Sequence, residues 1–111
     1  VRRYDPSGAI VWTDTYAGES GEGALCYDIA RDQEGDFVIT GGEVSGGVRQ
    51  ILVRKYDAMG APRWTRRVPP AALGPDHGRS IAVAPDNTIF VAGTADVGVD
   101  GLDLWLGRFT Q

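Results

Sequence analysis

Apolar residues along this chain fall into short clusters separated by turn formers, a spacing that predicts strands. Clusters of four to seven residues, rich in β-branched and aromatic types, recur about every 8–15 positions. They place strands near 1–5, 10–16, 24–32, 36–42, 49–57, 62–68, 78–84, 88–94 and 103–110. Apolar side chains at i, i+3, i+4 and i+7 are not sustained over ten residues anywhere, so no substantial helix is expected. The punctuation between clusters has a mechanism. Asp5-Pro6-Ser7-Gly8, Asp32-Gln33-Glu34-Gly35 and Asp57-Ala58-Met59-Gly60 each fit a type I turn ending on a left-handed glycine. In Pro85-Asp86-Asn87 the last position goes to asparagine, the side chain most tolerant of positive φ.

The pattern repeats. Val1-Arg2-Arg3-Tyr4-Asp5-Pro6-Ser7-Gly8-Ala9-Ile10-Val11-Trp12-Thr13 lies 52 positions before Val53-Arg54-Lys55-Tyr56-Asp57-Ala58-Met59-Gly60-Ala61-Pro62-Arg63-Trp64-Thr65, with eight of thirteen positions identical. The same offset pairs Ile29-Ala30 with Ile81-Ala82, Gly41 with Gly93, and Phe37-Val38-Ile39 with Ile89-Phe90-Val91. After one inserted residue, Leu104 to Phe109 matches Ile51 to Tyr56. The chain is a tandem array of about two units.

Strands within a unit differ in polarity. Phe37-Val38-Ile39, Ile51-Leu52-Val53, Ile89-Phe90-Val91 and Leu104-Trp105-Leu106 are unbroken apolar runs, which implies sheets covered on both faces. The strand after each Asp-x-x-Gly turn is polar, as in Arg63-Trp64-Thr65-Arg66-Arg67 and Trp12-Thr13-Asp14-Thr15, which suits an outer edge. Four strands in about 52 residues, with buried central strands and a charged outer one, describe a β-propeller blade. The expected fold is therefore all-β: about two four-stranded antiparallel blades, a fragment of a larger propeller. Residues 1–16 form the last two strands of one blade, 17–68 a complete blade, and 69–111 the first three strands of another.

The succession Ile-Ala, turn, Phe-Val-Ile-Thr-Gly, Leu-Val-Arg-Lys-Tyr-Asp-x-x-Gly-x-x-x-Trp resembles the bacterial seven-bladed β-propeller repeat family. The resemblance covers Val1 through Phe109 and departs from the pattern at Pro85-Asp86-Asn87-Thr88 and at Phe109-Thr110. It implies a secreted or surface-attached bacterial protein or lipoprotein, in the extracellular space or cell envelope. Asp5-x-x-Gly8-x-x-x-Trp12 and Asp57-x-x-Gly60-x-x-x-Trp64 resemble, more distantly, the docking motif of quinoprotein propellers. That resemblance implies that Trp12 and Trp64 pack onto the neighbouring blade. A quinone site would also need acids, arginines and a metal from many blades, which this sequence does not identify.

Charge narrows the partners. Fifteen acidic against eleven basic residues give a net charge of −4, which disfavours nucleic acid and anionic membrane surfaces. No apolar run approaches the roughly 18 residues of a membrane span, and no signal-peptide pattern opens this piece. Starting on Val1 rather than methionine suggests a processed chain or a piece of a longer one. Lone Cys26 excludes an internal disulfide framework.

Candidate chemistry is sparse. Asp96, Asp100 and Asp103 lie in a glycine-rich loop whose oxygens suit calcium. Their spacing matches neither the EF-hand nor the nonapeptide roll, and the equivalent loop Glu43-Val44-Ser45-Gly46-Gly47 has one acid, so a solvated loop is expected. His77 and Cys26 fall at similar levels of successive units. Nothing supplies the further ligands or orienting group that zinc or nucleophilic catalysis would need, which leaves a loop histidine and a small buried thiol. Arg49, Arg54, Arg63, Arg66 and Arg67 form the basic cluster, with Arg66 and Arg67 on opposite faces of a solubilising edge strand. No catalytic, cofactor-binding or metal-binding residue is assigned, and no cofactor is expected.

The expected function is a non-enzymatic propeller module acting as scaffold or as a protein- or ligand-binding surface. Its expected partners are further blades of a parent chain or copies of itself. Alternatives are part of a quinoprotein-like or sugar-binding propeller with sites between blades. Fewer than four blades cannot close a ring, so apolar faces around Phe37, Leu52, Phe90 and Trp105 are expected to stand open.

Overall fold

The computed structural model describes residues 1–70, 76–96 and 102–111, with the side chains of Asp96 and Leu102 left aside. Every described element is a strand: β1 (Arg2–Tyr4), β2 (Ile10–Thr13), β3 (Ala24–Arg31), β4 (Phe37–Ser45), β5 (Val48–Tyr56), β6 (Pro62–Val68), β7 (His77–Val83), β8 (Ile89–Asp96) and β9 (Leu102–Phe109). They form three antiparallel sheets in sequential order: β1-β2, β3-β4-β5-β6 and β7-β8-β9. The fold is all-β. The second strand is shorter than its expected span of 10–16, because its ladder to β1 closes where Asp14 N donates to Val1 O at 2.9 Å.

Each expected turn forms around an aspartate. Gly8 N donates to Asp5 O, Gly35 N to Asp32 O and Gly60 N to Asp57 O, with glycine φ of 89°, 90° and 88°. One carboxylate oxygen of each aspartate also accepts two further backbone N–H groups in its turn, for example Met59 N and Ala61 N at Asp57. In the fourth turn Asn87 takes φ 65° and its N–H bonds Ala84 O.

The repeat extends to irregularities. The first strands of the two larger sheets, β3 and β7, both bulge, between Cys26 and Asp28 and between Gly78 and Ser80. Each bulge drives a carbonyl over the facing strand: a Cβ on Gly41 would lie 1.7 Å from Leu25 O, and one on Gly93 1.9 Å from His77 O. That contact explains why both units carry glycine there. A second irregularity also recurs 52 residues apart, at Arg3/Tyr4 in β1 and at Lys55/Tyr56 in β5.

The central sheet lies between the other two. On one face Val38 and Val53 pack with Ile81, Ile89 and Val91 of the third sheet, and Trp64 of outer strand β6 seals that contact. On the other face Trp12 of β2 stacks on Tyr56 at 6.0 Å, meets Phe37 edge-on at 6.2 Å and donates to Ala58 O. Trp12 and Trp64 therefore do the same job one unit apart.

The open faces differ in part from those expected. Leu52 is buried and Phe37 half-buried, because the N-terminal hairpin covers the outer half of the central sheet. Phe90 is exposed as expected and Trp105 is half-buried, while further exposed apolar residues include Leu25, Tyr27 and Ile29 on β3, Leu104 and Leu106 on the far sheet, and Tyr4, Ile10 and Val11 on the hairpin.

Candidate functional site

The hairpin meets the central sheet through a polar network. Glu43, on β4, has no solvent exposure. Its Oε1 accepts from Tyr16 OH at 2.8 Å and from Glu19 N at 2.5 Å, and its Oε2 accepts from Arg67 Nε at 2.6 Å. Burial pushes this carboxyl up, but the bonds from Arg67, Glu19 N and Tyr16 outweigh it and hold the group below the usual range. Beside it, Arg54 donates to Tyr56 OH at 2.9 Å and Thr65 Oγ1 at 2.6 Å, and its guanidinium lies over the Tyr16 ring. Tyr56 donates to Asp14 at 2.7 Å, and burial with that contact pushes its hydroxyl up to about 12.

A second cluster closes on the acidic turn after β3. The Lys55 ammonium lies 2.8 Å from Asp32, 3.2 Å from Asp36 and 3.8 Å from Glu34, and donates to Gln111 Oε1 at 2.5 Å. The three carboxylates could by spacing share a cation. Lys55 already supplies one. Although burial disfavours its charge, bonds to Asp32 and Asp36 hold its pKa above the ordinary value.

Residues singled out from sequence are placed as follows. Cys26 is exposed rather than buried, since the sheet facing β3 has no strands over this inner edge; partial burial still raises its thiol pKa. His77 is not a loop residue: it opens β7, is buried and meets Tyr27 edge-on at 5.5 Å. Burial, then the charges of Arg49 and Arg79, lower its pKa. Asp100, and the side chain of Asp96, lie outside the described residues, while Asp103 is exposed on β9. Arg66 and Arg67 do face opposite ways, but neither merely solubilises an edge. Arg66 stacks on Trp64 and donates to Thr110 O, whereas Arg67 bridges to Glu43. Arg63 alone of that strand's arginines is largely exposed.

Sequence reasoning missed Glu43, Tyr16 and Lys55. A lone acid closing an apolar strand, as in Phe37 to Glu43, was the available signal for the first. A cavity of about 390 Å³ adjoins the network, over the inner half of the central sheet. Leu25, Ile39, Leu52 and Tyr56 form its floor, with Val1 and Asp14 at the rim. Glu43 with Arg67 and Asp14 with Arg54 are engaged with one another, so the arrangement holds sheets together and leaves a recess of mixed polar and apolar lining. The chain matches no protein-family model and no curated protein sequence.

Proposed function

We propose that this chain is a non-enzymatic β-propeller repeat module whose sheets act as scaffold or as a protein- or ligand-binding surface. One observation carries the reading: Trp12 packs on Phe37 and Tyr56, and 52 residues on Trp64 packs against the cluster that includes Ile89, the counterpart of Phe37. A unit that docks onto the next by the same side chains is built to be stacked. The buried ionic groups fit this role, because Arg67–Glu43 and Arg54–Tyr56–Asp14 tie outer strands to neighbours. On its resemblance to secreted propeller repeats, the module belongs outside the cell or in the cell envelope.

A single chain carrying seven copies of residues 17–68 tests the reading. It should unfold cooperatively as a monodisperse monomer that excludes a hydrophobic dye; an aggregated or dye-binding product would refute the stacking. Thermal shifts with a quinone cofactor, calcium and simple sugars separate the alternatives. A rise in Tm with the quinone or with a sugar would move the function to a ligand site between sheets, for which the 390 Å³ recess is the candidate.

A further inference from the structure

The 52-residue repeat assigns every position a counterpart, and burial of the counterparts disagrees at two surfaces. Val38, Ile51 and Val53 are fully buried against the third sheet, yet the matching Phe90, Leu104 and Leu106 are 38%, 86% and 67% exposed. Ile81 is 8% exposed, yet its counterpart Ile29 is 49% exposed and lines a second recess, of about 320 Å³, beside Trp12 and Phe37. The first surface is the kind that docks and the second the kind that is docked upon, as the contact between the central and third sheets demonstrates.

The edges are complementary in the same way. Strand β5 pairs with outer strand β6 over Ile51↔Val68 to Tyr56↔Pro62, but the matching β9 pairs only with β8 among the described residues. Strand β2, the counterpart of β6, holds a partner of only three residues, Arg2↔Thr13, Arg3↔Trp12 and Tyr4↔Ile10. This register is that of Arg54↔Thr65, Lys55↔Trp64 and Tyr56↔Pro62. In both pairs a cation stands opposite the tryptophan, and Arg108 occupies that position in β9.

We propose that a second copy of this chain is the occupant of both surfaces. Resting on the stacked-sheet reading above, the geometry places the neighbour's β7-β8-β9 sheet over the recess and over Leu25 and Ile29. Its β9 displaces β1 and pairs with β2 in the register Gly107↔Thr13, Arg108↔Trp12 and Phe109↔Ile10. The exchange gives β2 a longer partner, buries Phe90, Leu104 and Leu106, and fills the recess with inner strands that the hairpin lacks. Each contact is head-to-tail, and with the sheets stacked around one axis, as in the reading above, the rotation between copies closes them into a ring. Every copy contributes two complete sheets, and rings of about four to eight sheets correspond to two to four copies.

Light scattering behind size exclusion tests this on the 111-residue chain, whose mass is 11.9 kDa. A closed species of two to four copies is expected. Leu104→Lys with Leu106→Lys should give a monomer with unchanged far-UV circular dichroism, since both side chains are solvent-exposed in the single copy. Deleting residues 1–4 should leave the assembly intact, because β1 is the strand displaced. An assembly that survives the two lysines, or that dissociates on the deletion, overturns the arrangement. A folded wild-type monomer that binds a hydrophobic dye overturns self-assembly but leaves the stacked-sheet reading standing. A folded monomer that excludes the dye overturns both.

Discussion

Glu43 and Tyr56 give this molecule opposite limits in pH. The folded pKa of Glu43 is lowered, so its stabilisation is present above about 4.5, its ordinary value, and fades as pH falls through the depressed one. Glu43→Gln should cost about 3 kcal/mol at neutral pH, as breaking a buried ion pair does, and should flatten the acid limb of a stability–pH curve. Equal acid sensitivity in the variant would refute the role. For Tyr56 the neutral form is favoured, so its contribution is complete below about 10 and is lost as pH rises toward about 12. An ultraviolet titration should show one of the four tyrosines ionising last, and Tyr56→Phe should remove that step. Trp64→Ala should cost about 3 kcal/mol in chemical denaturation, the low end of the loss for a buried aromatic, because the ring is half-buried. A change below about 1 kcal/mol would show that the side chain is not a docking residue.

Among elements, the bulged first strands and the acidic turn carry the clearest consequences. Gly41→Ala forces a methyl into Leu25 O, backbone that cannot swing aside, so the bulge must be rebuilt. A loss of at least about 2 kcal/mol is expected, with Gly93→Ala behaving alike; a neutral effect of either in denaturant titration would refute the shared bulge geometry. In the turn, the Lys55 ammonium stands where three carboxylates would otherwise gather a metal ion. Calcium and chelator should therefore leave the wild-type Tm unchanged. In Lys55→Ala the protein should be destabilised, and calcium should recover part of the lost Tm. A wild-type response to calcium that vanishes in Asp100→Asn would instead return the metal to the loop around 96–103.

At the scale of the whole molecule, the described residues form one extensive sheet interface and one smaller one, and leave one sheet face exposed. The extensive interface holds the continuous core of Val38, Val53, Ile81, Ile89 and Val91. At the smaller interface, β1 and β2 cover the outer strands and leave the inner ones to solvent. Apolar side chains left in these places favour association, since burying them removes apolar area from water. Dilution of the chain should consequently raise dye binding and lower Tm together; concentration-independent melting would show that the exposed face has no occupant.

Strand positions, the three Asp-x-x-Gly turns, the left-handed Asn87 and the 52-residue period were all legible in the chain. Each depends on neighbours within a few residues or on direct comparison of one unit with the next. The repeat also put Trp12 and Trp64 in equivalent positions, and each packs against the next sheet, because a repeated side chain keeps one role. Tertiary contact settled the rest. Glu43 and Arg67, 24 residues apart, meet across the strands of the central sheet, and only the packing of the segment after β2 on that sheet brings Tyr16 to them. His77 is a strand residue because it pairs with Thr94 of β8, and Tyr27, on β3, packs edge-on against its buried ring. Val53 and Leu106 hold equivalent places in matching apolar runs, yet one is buried and the other exposed. Local sequence encodes which side chains can pack; which of them do depends on whether a second sheet arrives to exclude the water.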